Sequence, residues 1–154
     1  MDIGPLTCAI YIDLKEAFDT IDHNLLLSKL QYTGTELRVS HLNGLTVIWR
    51  IATKESKSIY GVLSSPTIIQ TGVPQGSIMG SLLFFLYIND LPVCINFSKV
   101  MLYADDTIIY NAAKTGAELE MILSLDLNNV AMWMKQNELF LNTKKMEYVI
   151  CGTR

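Results

Sequence analysis

The stretch Met101–Tyr110, "MLYADDTIIY", constrains this chain more than any other. Two apolar, β-prone runs flank a pair of adjacent aspartates. Val100–Ala104 reads as one strand and Thr107–Tyr110 as the next, which makes Asp105 and Asp106 the tip of a tight hairpin. Like charges side by side repel, by roughly 1 kcal/mol at contact distance in bulk water and by more where the dielectric falls. Asp is also an ordinary turn residue, because its carboxylate bonds nearby backbone N–H groups. An isolated Asp-Asp turn is therefore weak evidence of chemistry. It gains force only if other parts of the chain bring matching groups to the same place.

The rest of the chain reads as one domain of mixed α and β structure. Its 154 residues are about one domain's worth, and half of them are apolar, enough for a sizeable core. Thr7–Leu14, "TCAIYIDL", fits a buried strand ending at Asp13. Asp22 stands as the N-cap of a helix over "HNLLLSKLQ". "KSIYGVLSS" and "PTIIQT" look like short strands. "TGVPQGS" is a loop leading into an apolar helix, "SIMGSLLFFLYINDL", expected to be buried on most faces. Leu119, Leu123, Leu127, Val130 and Met134 recur at helical spacing, with Ile122 and Trp133 widening that face. "ELFLN" and "MEYVIC" read as two closing strands. Residues 33–56 show no clear period. The pattern predicts an α+β fold with a largely antiparallel sheet.

Composition narrows the class. The apolar run Leu82–Ile88 is far short of the ~20 residues of a membrane span. The first residues carry an acid and a Pro and no basic segment, so no secretory signal is visible. With no membrane partner in view, the location expected is intracellular, nucleus or cytoplasm. Cys8, Cys94 and Cys151 are odd in number and far apart, which fits core thiols rather than a disulfide or zinc framework. The formal charge of −3 counts against a free-standing nucleic-acid binder, which is usually basic.

Three carboxylates then stand at strand ends: Asp13, Asp105 and Asp106. If the strand over 7–13 lies beside the hairpin, all three meet at one edge of one sheet. Such a cluster needs a bridging cation. Asp oxygens without His or Cys suit a hard ion such as Mg²⁺, which takes one or two carboxylates and completes its shell with water and phosphate. Two such ions form the paired-metal device for phosphoryl transfer.

At these residues the sequence resembles a known family. "YIDLKEAFDTIDH", "TGVPQGSIMGSLLFFLYINDLP" and "LYADDTIIY" look like motifs A, B and C of reverse transcriptases, closest to those of non-LTR, LINE-type retrotransposons. "WMKQNELFLNTKKMEYVIC" resembles motif D. The resemblance implies a polymerase palm, ferredoxin-like, with its sheet backed by helices. It implies RNA-directed DNA synthesis with two Mg²⁺ ions, or Mn²⁺ in their place, acting on an RNA template, a DNA primer and deoxynucleoside triphosphates. It places Asp13, Asp105 and Asp106 as metal ligands, with Asp105 the essential one of the pair, and the Leu14 backbone beside them. It puts Phe18 at the steric gate that excludes a 2′-OH, Gln75 and Gly76 against the template and incoming nucleotide, and Tyr103 near the primer end. It makes Lys145 the proton donor to the departing pyrophosphate. From the residues alone, Phe18 reads as a core aromatic and Lys144–Lys145 as a solvated turn.

Three departures accompany the resemblance. Residues 1–154 form a partial domain that starts almost at motif A, so fingers and thumb are expected to lie elsewhere, and the chain alone is not expected to polymerise. Residues 33–56 lack the Trp-Phe helix that relatives carry. Ser81 stands where Pro is usual, and Met146 where Thr is usual. An alternative is a non-catalytic retroelement remnant, inert or reused as an interaction module. A nucleotide cyclase with a palm-like fold fits less well, because the Val-Pro-Gln-Gly loop favours a polymerase.

Overall fold

The computed structural model describes residues 4–32, 70–73, 76 and 78–152. Strand β1 (Leu6–Ile12) is followed by helix α1 (His23–Tyr32), helix α2 (Ile78–Ile88) and a short 3-10 turn at Leu91–Cys94. Strands β2 (Lys99–Tyr103) and β3 (Asp106–Ala113) form a hairpin, and helix α3 (Gly116–Gln136) leads to strand β4 (Glu147–Cys151). The four strands lie in the order β2-β3-β1-β4, each pair antiparallel. This is the split βαβ arrangement of a ferredoxin-like sheet; the antiparallel α+β character is what the sequence pattern predicts, and the ferredoxin-like order is what the resemblance implies.

Local sequence explains each element. Strand side chains alternate between faces, and Cys8 and Ile12 of β1 are buried with Ile109 and Ala113 of β3 against α3. The opposite face leaves Tyr11, Met101, Tyr103 and Val149 exposed. Helix α1 begins where expected: Asp22 Oδ1 accepts the N–H groups of Asn24 and Leu25, each at 2.8 Å. Thr115 caps α3 by accepting the Glu118 N–H at 3.3 Å. The apolar face of α3 buries Leu119, Leu123, Val130, Trp133 and Met134.

Several expectations are revised. The hairpin turn is Ala104–Asp105 rather than Asp105–Asp106, because Asp106 already pairs with Tyr103 as the first residue of β3. Ala104 takes up the turn with φ of +52°. "ELFLN" forms no strand; only Leu141 bridges to Leu14, flanked by the Lys15 N–H to the Phe140 carbonyl and the Asn142 N–H to the Asp13 carbonyl, and among the described residues the pairing goes no further. Helix α2 buries one face, Gly80, Leu83, Phe84, Tyr87 and Ile88. Its Ile78, Met79, Leu82 and Phe85 are exposed, a split that a continuous apolar run cannot reveal. Residues 33–56 and, except for Gln70 and Thr71, the strands expected over 57–65 and 66–71 lie outside the described residues; Thr71 makes an isolated bridge to Asp22.

Candidate active site

β1 and β3 deliver two carboxylates to one place. Their ladder ends with Ile12 opposite Thr107. Asp13 follows Ile12, and Asp106 precedes Thr107, so the two acids leave the sheet at the same edge. Both line a recess of about 390 Å³ with Tyr11, Lys144, Lys145 and Glu147. Asp105 sits in the turn just before Asp106, half-buried. Among the described residues no three His, Cys, Asp or Glu side chains form a group that could hold a metal. The structure thus pairs Asp13 with Asp106 rather than gathering all three acids. Two all-oxygen carboxylates still fit Mg²⁺, which uses one or two of them and takes its other ligands from water and phosphate.

Asp13 is restrained by its neighbours. Asn142 Nδ2 donates to Asp13 Oδ2 at 2.7 Å, and Lys145 Nζ lies 3.8 Å from the same oxygen. Lys145 is itself largely exposed, so this charge contact is weak. Lys145 also borders a second recess of about 560 Å³ with Leu14, Lys15, Glu16, Thr20, Phe140 and Asn142. Within it the chain curls tightly: Glu16 has φ of +47°, and its carbonyl accepts the N–H groups of Asp19 (2.8 Å) and Thr20 (3.1 Å). Leu14 is buried, and the Lys15 N–H donates to the Phe140 carbonyl at 2.8 Å.

Phe18 is partly buried and stacks on Phe84 of α2, with ring centroids 4.7 Å apart and planes 28° from parallel. The candidate gate residue is therefore braced by the helix that follows the Val-Pro-Gln-Gly loop. The segment entering that loop is pinned to the same region. The Val73 N–H donates to the Phe18 carbonyl at 2.7 Å, and the Gly72 N–H to the Ile21 carbonyl at 2.8 Å. His23 Nε2 donates to the Gly72 carbonyl at 2.7 Å. Gly72 has φ of +91°, and a Cβ there would meet the Asp19 carbonyl oxygen at 3.1 Å. Gly76 has φ of +77°, with no described residue within 4 Å of where a Cβ would stand. Gln75 lies outside the described residues. Tyr103 is exposed at the end of β2, beside the Ala104–Asp105 turn.

Two supporting residues escape a reading based on motifs. Asn142 holds Asp13, and the only signal for it is an Asn between the apolar "LFL" and the Lys pair. Asp126 is fully buried and accepts the N–H groups of Asn96 (2.9 Å), Phe97 (3.2 Å) and Ser98 (2.7 Å). An acid on the apolar face of α3 was its legible sign. Burial pushes the Asp126 carboxyl up. The N–H groups of Asn96, Ser98 and Phe97 outweigh that and hold it below the usual aspartate value. Asp126 thereby fixes the segment that feeds β2 and its turn.

A family profile described as "Reverse transcriptase (RNA-dependent DNA polymerase)" matches residues 2–151. The chain belongs to the reverse transcriptase family. This reverse transcriptase chain is 32% identical to a probable RNA-directed DNA polymerase from transposon BS of Drosophila melanogaster, over 89% of its own length and 16% of that relative's. It is 26% identical to the RNA-directed DNA polymerase from mobile element jockey of the same organism, over 94% of its length and again 16% of the relative's. These relatives bear out the resemblance to LINE-type elements. In fold it is similar to an apo telomerase from Candida tropicalis, with a TM-score of 0.72, 14% identity, and coverage of 96% of this chain and 31% of that one. The chain thus spans a small part of the curated relatives it matches. Among the described residues no helix is long and apolar enough to cross a membrane.

Proposed function

We propose that this reverse transcriptase chain is the palm of an RNA-directed DNA polymerase, with its nucleotidyl-transfer centre at the Asp13–Asp106 recess. The observation that carries this is the register of β1 and β3, which sets those two acids at one sheet edge in a chain of this family. Magnesium or manganese ions, when bound there with Asp105 alongside, supply activation of the primer 3′-hydroxyl and neutralise charge on the leaving pyrophosphate.

The chain's own residues set the geometry. Asp13 and Asp106 offer acceptor-only oxygens from two rigid strand ends, with the Leu14 backbone beside them. To Lys145, which lines the recess, falls the donation of a proton to departing pyrophosphate. Phe18, braced by Phe84, packs under the sugar of the incoming nucleotide and rejects a 2′-OH. Gly76, with no side chain and no described residue within 4 Å of where a Cβ would stand, lets the backbone approach the nucleotide closely; the family resemblance assigns the template contact to Gln75. The exposed sheet face, with Tyr103 at its edge, takes the end of a DNA primer paired to an RNA template. Catalysis of this kind is mostly positioning and electrostatics. In such a protein the grip on duplex and triphosphate comes from surfaces beyond this chain, since its charge of −3 leaves few Lys and Arg to neutralise phosphates.

The test is extension of a DNA primer on an RNA template by the full protein that contains this chain. Deoxynucleotide addition that needs Mg²⁺ and is lost in Asp13→Asn is expected. Wild-type protein that gives no extension, or an Asp13→Asn variant as active as wild type, would refute the proposal.

A further inference from the structure

Asp13 is gripped twice by one residue. The Asn142 backbone N–H donates to the Asp13 carbonyl at 2.9 Å, and the Asn142 side-chain amide donates to Asp13 Oδ2 at 2.7 Å. The Asn142 carbonyl in turn accepts the N–H groups of Lys145 (2.9 Å) and Met146 (3.2 Å), closing the turn that leads into β4. One residue therefore orients the carboxylate and also sets the turn that carries Lys145.

We infer that Asn142 is a positioning residue of the nucleotidyl-transfer centre, holding Asp13 by Oδ2 so that Oδ1 is left to the cation. This rests on Asp13 being a cation ligand, as proposed above. The torsion of an Asp carboxylate about its last bond is broad and roughly two-fold, so an unrestrained Asp13 would present either oxygen. The amide removes that freedom. Among the described residues Oδ1 accepts no hydrogen bond, whereas Oδ2 is occupied. Lys145 cannot do the same work, since at 3.8 Å and 71% exposure it is a loose, solvent-screened partner.

A plain turn residue would explain less. The turn is closed by the Asn142 carbonyl and tied to Asp13 by the Asn142 backbone N–H, which any residue but proline supplies. The amide spans 129 positions of sequence to reach the one carboxylate that ends β1. Partners of this kind, behind a metal ligand, typically change affinity or activity by about 10–100-fold when removed.

The test is Mn²⁺ binding to the 154-residue chain, read from the electron paramagnetic resonance signal of free Mn²⁺, with melting temperatures recorded alongside. Asn142→Leu is expected to weaken binding by about 10–100-fold while the chain stays folded, because the three backbone bonds remain. Asn142→Ala should do the same and replaces the Leu variant if that one fails to fold. Adding Asn142→Leu to Asp13→Asn should weaken binding no further, a coupling that a general loss of structure would not produce. If Asp13→Asn weakens binding while Asn142→Leu and Asn142→Ala bind as wild type, the role of Asn142 is overturned and the metal site stands. An equal further loss from Asn142→Leu in both backgrounds would also overturn it. If wild type and Asp13→Asn bind alike, the metal site itself is wrong, and the role of Asn142 falls with it.

Discussion

Removing the Asp126 carboxylate should unfasten the hairpin that carries Asp105 and Asp106. The carboxylate accepts three backbone N–H groups at 2.7–3.2 Å from complete burial. A hydrogen bond to a charged group contributes about 1.5–3 kcal/mol net. Three such bonds do not add fully, because Asn96 and Phe97 are exposed and water can recover part of the loss. Asp126→Ala should therefore cost about 3–4 kcal/mol. Asp126→Asn should cost about 2–3 kcal/mol, since its amide oxygen satisfies one donor while its NH₂ faces the others. For a chain of this size 3 kcal/mol corresponds to a melting temperature lower by roughly 6–12 °C. Urea denaturation followed by circular dichroism gives the free energies. The acid limb adds a second readout. The folded-state pKa of Asp126 is depressed, so its contribution is complete above the unfolded value near pH 4 and is lost as pH falls through the folded value. Both variants should lack that part of the acid loss. A change within about 0.5 kcal/mol, the range of a surface substitution, would show that Asp126 does not hold segment 96–98.

Other outcomes follow from the same contacts. Phe18→Ala, in the full protein, should raise ribonucleotide incorporation relative to deoxynucleotide incorporation, because the lost effect is steric rejection; equal discrimination in single-nucleotide addition would return Phe18 to the core. Tyr87→Phe should cost about 1–2 kcal/mol in urea unfolding, because the buried Tyr87 hydroxyl donates to the Asn137 carbonyl at 2.7 Å and that acceptor would be left unpaired. Gly72→Ala should destabilise by about 1–3 kcal/mol, since φ of +91° and the nearby Asp19 backbone both oppose a Cβ; an unchanged melting temperature would contradict that.

What the sequence made legible was what periodicity and turn chemistry encode locally. The short apolar strand over 7–13, the Asp22 cap and the apolar stripe of α3 each follow from a short window of residues. The pair of β-prone runs gave the hairpin, yet not its turn. Nothing local says that Ala104 rather than Asp106 adopts the turn conformation, because that depends on Asp106 pairing with Tyr103. "ELFLN" alternates like a strand, but Leu139 is buried and Leu141 half-buried for packing reasons while only one bridge forms. In the candidate site, strand-end placement supplied Asp13 and the hairpin acids, and resemblance supplied Phe18 and Lys145. It did not supply Asn142 or Asp126, whose roles depend on contacts made across 129 and about thirty positions of sequence.

The proposed centre requires the end of β1 and the β2–β3 hairpin to hold a divalent cation between them. Iron-mediated cleavage reads this out in the folded chain. Fe²⁺ replaces Mg²⁺ in the folded chain, ascorbate and peroxide generate hydroxyl radicals at the bound ion, and mass spectrometry locates the broken backbone. Cuts are predicted close to Asp13 and within Tyr103–Thr107, fading as Mg²⁺ is added and absent from an Asp13→Asn, Asp106→Asn double variant. Cuts confined to other parts of the chain, or cuts at these positions that persist in the double variant, would contradict the account.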